Sequence, residues 1–146
     1  MLLDALPQGG VNRYFKTEAR CVRRLKEVRW PDGIVCEGCG SKNVGKIRTR
    51  KTYQCRECRD QFSVTSGTIC HRKHLDLIEW FYAAELIISA SAKDHTRDIL
   101  SSEGLRKKLG VTYKVAFDLR KKLKSDLLHP HGGLIGRCIC VHKKSD

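Results

Sequence analysis

Four cysteines stand as two Cys-x-x-Cys pairs, Cys36/Cys39 in C-E-G-C and Cys55/Cys58 in C-R-E-C, separated by the fifteen residues 40–54. A two-residue gap lets both thiolates of a pair reach one ion, and a spacer of about 15–20 residues is the recognised four-cysteine zinc pattern. Such a spacer is long enough for a hairpin that carries the second pair back to the first. The expected ligands are therefore Cys36, Cys39, Cys55 and Cys58, around one structural Zn2+. Four thiolates leave no coordination position for water or substrate, so a catalytic zinc is not expected. The competing use of these cysteines is disulfide or redox chemistry. That needs an oxidising compartment, and the start M-L-L-D-A-L-P-Q-G-G has neither the basic segment nor the long apolar segment of a secretory signal. No apolar run approaches bilayer length, which predicts a cytoplasmic protein with no membrane partner.

The second chemical signal is charge. The 29 Lys and Arg outweigh 16 Asp and Glu to give +13, a balance that favours polyanions. Residues 46–59 carry a net +5 and residues 105–124 a net +7, so two short segments hold twelve of the thirteen charges. The first supplies Arg48, Arg50 and Lys51 as candidates for phosphate contact. The second contains L-G-V-T-Y-K-V-A-F, which reads as a helix, a glycine turn at Gly110 and a second helix capped by Thr112. In a helix-turn-helix the second helix enters the major groove with its N-terminal residues on base edges. Thr112, Tyr113, Lys114 and Phe117 are the candidates for bases, and Arg120 and Lys121 for phosphates. An ordinary helical hairpin shares the apolar skeleton but does not require the cations.

These sites need elements to position them. Residues 1–12 read as a mobile lead-in. A helix over Thr17–Arg29 places Cys21, Val22, Leu25 and Val28 on one face, with Cys21 a core residue rather than a ligand. Trp30-Pro31-Asp32-Gly33 ends it. The ribbon is expected to use Ile34-Val35 as a short strand, Lys46–Lys51 paired with Thr52–Cys55, and Gln61–Thr65 as a third strand, with Tyr53 packing beneath the metal. Leu75–Ser89 reads as a central, nearly all-apolar helix. Cys70, His71 and His74 before it, and Cys138, Cys140 and His142 near the C-terminus, are weak metal patterns; the second group is expected to be a loose end. The fold class is α+β: residues 1–33 a lead-in and helix, 34–69 a zinc ribbon of short antiparallel strands, 70–128 a helical domain with the helix-turn-helix at about 101–124, and 129–146 a degenerate tail.

R-W-P-D-G-I-V-C-E-G-C-G-S (29–41), Y-Q-C-R-E-C-R-D-Q-F-S-V-T-S-G-T-I (53–69), H-L-D-L-I-E-W-F (74–81) and L-G-V-T-Y-K-V-A-F (109–117) together resemble the N-terminal part of bacterial zinc-ribbon, DDE-type insertion-sequence transposases. The resemblance implies that ribbon and helix-turn-helix bind double-stranded DNA at transposon ends. In that family a ribonuclease-H-like domain with catalytic carboxylates follows. Here Gly133-Leu134-Ile135-Gly136 is followed by R-C-I-C-V-H-K-K-S-D, with no acid at the expected place. The expectation is a truncated, non-catalytic DNA-binding fragment that competes with or represses intact copies. The alternative is a protein-interaction or regulatory module that docks on itself, on a full-length transposase or on another partner.

Overall fold

The computed structural model describes residues 5–71, 75–91, 101–129 and 132–141, and the fold is α+β. Helices α1 (Val11–Phe15) and α2 (Glu18–Arg29) precede strands β1 (Val44–Ile47), β2 (Thr52–Cys55) and β3 (Gln61–Phe62). Helices α3 (Leu77–Ser91), α4 (Ser102–Leu109), α5 (Tyr113–Leu127) and α6 (Gly133–Ile139) follow. Short polar side chains start three of these helices: Thr17 accepts from Arg20 N at 3.3 Å, Ser101 from Gly104 N at 3.1 Å and Thr112 from Val115 N at 3.3 Å.

The sheet is antiparallel in the order β1-β2-β3, with Ile47 opposite Thr52 and Tyr53 opposite Phe62. Three strand expectations are corrected. β2 offers four residues, ending at the metal-binding Cys55, so its partner strand is Val44–Ile47, not Lys46–Lys51; residues 48–51 form the turn, with Arg50 N donating to Ile47 O at 3.2 Å. The third strand stops at Phe62 instead of Thr65, because the backbone bends at Ser63, whose N–H donates to Ser66 Oγ at 2.9 Å. Ile34 and Val35 form no strand; they pack, half-buried, on the ribbon's own core of Trp30, Cys36, Cys55 and Phe62.

The helices share a second core centred on α3, whose Trp80, Phe81, Ala83, Ala84, Ile87 and Ile88 are all buried. α3 meets α1, α2, α5 and α6, which is why its apolar surface runs nearly all round. Residues 5–12 are not a free lead-in where described. Ala5, Pro7 and Val11 are buried, and Phe15 meets Phe81 edge-on with ring centroids 5.1 Å apart. Nor are the described residues 132–141 a loose end: Ile135, Cys138 and Ile139 are fully buried and Cys140 nearly so. Residues 72–74, 92–100 and 142–146, which include His74 and His142, lie outside the described residues.

Charged side chains from neighbouring helices close several helix ends. The Glu18 carboxylate accepts from Leu77 N at 2.8 Å and Ile78 N at 3.0 Å, so α2 caps α3. Glu85 of α3 accepts from Val11 N at the start of α1. Asp126 of α5 accepts from Leu134 N at 3.0 Å and Ile135 N at 2.9 Å at the start of α6. Arg24 of α2 donates to Cys138 O at 2.9 Å and Arg137 O at 3.0 Å at its other end. Each carboxylate satisfies helix N–H groups that have no intrahelical partner and meets the positive end of the helix dipole, for about 0.5–2 kcal/mol.

Candidate metal centre and nucleic-acid interface

The two knuckles are near copies of one another. Gly40 N donates to Cys36 O at 2.8 Å, and Arg59 N donates to Cys55 O at 3.0 Å. The residue after each second cysteine turns left-handed, Gly40 at φ 74° and Arg59 at φ 68°. Glycine takes this conformation freely, whereas the Cβ of arginine makes it cost about 1 kcal/mol. The hairpin then brings the knuckles face to face. The Sγ atoms of Cys36, Cys39, Cys55 and Cys58 all lie within 4.8 Å of one another, and the Cys36–Cys58 and Cys39–Cys55 pairs are at 3.5 Å. A tetrahedral zinc with bonds of about 2.3 Å needs its sulfurs about 3.8 Å apart, so the donor set fits. The four cysteines are positioned to bind one structural zinc ion.

Their ionisation suits a cation. The Cys58 backbone N–H, helped by that of Glu57, draws the Cys55 thiol down to about 7 against the effect of burial. At Cys58 the Asp60 N–H pulls downward, but the facing sulfurs of Cys36, Cys39 and Cys55, together with burial, push that thiol up to about 12. One thiolate forms readily and the last is suppressed by its neighbours. Zinc removes this conflict, because it replaces protons as the counter-charge between the sulfurs.

The ribbon is built onto α2. Trp30, which follows that helix, meets Tyr53 and Phe62 edge-on at 6.1 and 5.9 Å beneath the metal side of the sheet. Arg29 is the latch. Its guanidinium donates to Val64 O at 2.7 Å, Ser63 O at 3.3 Å and Ser66 O, pairs with Glu37 inside the first knuckle, and lies 4.6 Å from the Trp30 ring centroid. Gly67, at φ 75°, leaves room for that pair: a Cβ there would collide with the Glu37 carboxylate. The run S-V-T-S-G is therefore a carbonyl nest for one arginine. Sequence reasoning missed both Trp30 and Arg29 as ribbon residues, although their place directly before the turn P-D-G was the available signal.

Gly110 links α4 to α5 in the left-handed conformation, φ 68°, with its N–H donating to Arg106 O at 2.8 Å. This has the order expected of a helix-turn-helix. Ala116, Leu119 and Leu123 of α5 are buried, while Thr112, Tyr113, Lys114, Phe117 and Lys121 are exposed and Arg120 is half-buried. At 3.6 residues per turn, Tyr113, Phe117, Arg120, Lys121 and Lys124 fall within about 100° of arc, opposite the buried stripe. Tyr113 and Phe117 stack with centroids 6.4 Å apart and planes at 25°. Arg48, Arg50 and Lys51 are exposed at the hairpin tip, on the ribbon rather than on the helical body. A groove of about 920 Å³ runs between α3 and the α4–α5 turn, bordered by Trp80, Val111, Val115 and Leu119 and by charges of both signs. Among the described residues no helix is long and apolar enough to cross a membrane.

Residues 16–61 match the family model of the transposase zinc-ribbon domain. The match takes in α2 as well as the sheet, in keeping with the packing of Arg29 and Trp30. Over 106 residues the chain is 26% identical to an uncharacterized protein in transposable element ISH50 of Halobacterium salinarum, covering 70% of this chain and 33% of that relative. The chain thus corresponds to about a third of the relative's length. No solved structure matches the chain. The resemblance to zinc-ribbon transposases drawn from the motifs is borne out.

Proposed function

We propose that this chain is a DNA-binding part of an insertion-sequence transposase, with a zinc-stabilised ribbon and a helix-turn-helix that engage double-stranded DNA at transposon ends. The observation that carries this reading is the solvent face of α5, aromatic at its start and cationic further along, opposite its core face. The transposase zinc-ribbon match supplies the context. In this reading Thr112, Tyr113, Lys114 and Phe117 meet base edges, while Arg120 and Lys121, with Arg48, Arg50 and Lys51 of the hairpin tip, hold phosphates. Zinc takes no part in recognition. It fixes the hairpin from which the second set of cations projects.

The role assigned to these residues is binding, not strand cleavage, and the expected place of work is the nucleoid. Fluorescence anisotropy against the element's terminal repeats and a scrambled duplex of equal length tests the proposal. Tighter binding to the repeats is expected. Five phosphate contacts predict a log K against log salt slope of about −4.5, or roughly five-hundredfold weakening between 50 and 200 mM salt. Affinity for the repeats no better than for scrambled duplex would refute end recognition, and a slope near zero would refute the phosphate contacts.

A further inference from the structure

We infer that the Tyr113–Phe117 pair is an apolar reader of thymine 5-methyl groups in the major groove. This rests on the proposal that α5 is a recognition helix and names what its first two turns would recognise. Tyr113 is 55% exposed and Phe117 47%, two of the four large hydrophobic side chains left exposed among the described residues. They occupy the first and fifth positions of α5 and stack on one another. Each ring therefore limits the rotamers of the other, and a surface held in place in advance binds at a lower entropic cost.

The face they share commits the occupant. Phe117 is followed along it by Arg120, Lys121 and Lys124, so Tyr113 and Lys124 lie about 16 Å apart along the axis at 1.5 Å per residue. An aromatic step leading into a cationic one complements a polyanion that also displays an apolar group. It does not suit a purely apolar protein surface, which would strand the cations. Base edges in the major groove are read either by hydrogen bonds or through the thymine methyl. Phe117 has no polar atom and the single hydroxyl of Tyr113 cannot make the bidentate pairs that read guanine and adenine, so both rings offer a base edge mainly apolar surface. The thymine methyl is the apolar group that a base edge displays in the major groove, and it is the partner that suits two aromatic side chains.

The test uses the full zinc-loaded chain and a duplex taken from the terminal repeats, or selected from a random library, in which each thymine is replaced in turn by deoxyuridine. This removes one methyl and changes nothing else on the base edge. One or two positions should lose about fourfold in affinity each, the worth of a buried methyl at about 0.8 kcal/mol. Phe117→Ala and Tyr113→Ala should bind the thymine and deoxyuridine duplexes equally, with the helical circular dichroism of the wild type. If the wild type binds duplex tightly but no deoxyuridine substitution matters, the inference falls and the DNA-binding proposal stands. If it binds no duplex at any salt concentration, both fall. Tighter binding to single strands, lost in Phe117→Ala, would make the pair a stacking platform and would also overturn the inference.

Discussion

Replacing Arg29 by alanine should release the ribbon from the helical body without removing its metal. The Arg29 side chain is only 9% exposed and donates to three backbone carbonyls. A hydrogen bond from a charged donor is worth about 1.5–3 kcal/mol, and the best placed here, to Val64 O at 2.7 Å, belongs at the upper end. Stacking over Trp30 adds about 0.5–2 kcal/mol. Glu37 is 40% exposed and recovers water when its partner goes, so it adds little. These effects overlap, which gives a loss of about 3–4 kcal/mol against a usual domain stability of about 5–15 kcal/mol. Arg29→Lys keeps the charge but not the planar fork and should restore about half. The chain has two tryptophans, Trp30 in the ribbon core and Trp80 in the helical core. With 5-fluorotryptophan labelling, fluorine resonances follow each core separately during urea unfolding. In the wild type the two transitions should coincide. In Arg29→Ala the Trp30 transition should move to lower urea, ahead of Trp80, with one zinc still bound per chain. A shift below about 1 kcal/mol, or two transitions that move together, would refute the latch.

Chelation of zinc, or Cys39→Ser, should collapse the Trp30 resonance while most helical circular dichroism remains, since zinc sites supply about 10–16 kcal/mol to folds this small and the helices have their own core; joint loss of both signals would contradict this. Asp126→Ala should cost about 1–3 kcal/mol in urea unfolding, because it strips the cap from Leu134 and Ile135 N–H at a buried helix start, whereas Asp126→Asn should cost less. Burial, with the Glu18 charge at Cys21, pushes the Cys21 and Cys138 thiols up to about 12 from 9.0. Above about pH 9 the unfolded chain gives up these protons while the folded chain keeps them, so stability should fall as pH rises from 9 toward 12. The urea midpoint of a Cys21→Ala, Cys138→Ala double variant should fall less steeply over that range, and an equal slope would rule out this contribution.

What could be read in the sequence was local. The Cys-x-x-Cys pairs, the cap at Thr112, and Gly110 act within a few residues of themselves, so their spacing reveals them. What could not be read depends on partners found only in the fold. Glu18, Glu85, Arg24 and Asp126 look like solvated charges in the chain, yet each closes a helix end elsewhere. Gln61–Thr65 alternates like a strand, but the carbonyls after Phe62 turn to meet Arg29, 34 and 35 residues earlier, in no pattern a periodicity can detect. Cys138 and Cys140 read as a metal pattern or a frayed end because the apolar run around them is short; α3 and Arg24 give that run its place.

The helix ends closed from a distance also set the order in which the chain can fold. Val11 waits for Glu85, 74 residues later; Leu77 relies on Glu18, 59 residues earlier; and Arg24 finds its carbonyls 113 and 114 residues away. Each closure requires a long loop to be ordered before it is rewarded, which slows folding. The ribbon needs only Arg29 to Ser66 and a metal ion. During synthesis it can therefore close first, while α2 and α3 stay incomplete until α6 has left the ribosome. The helical body, although it contains the first helices made, should therefore be the last part of the molecule to become native.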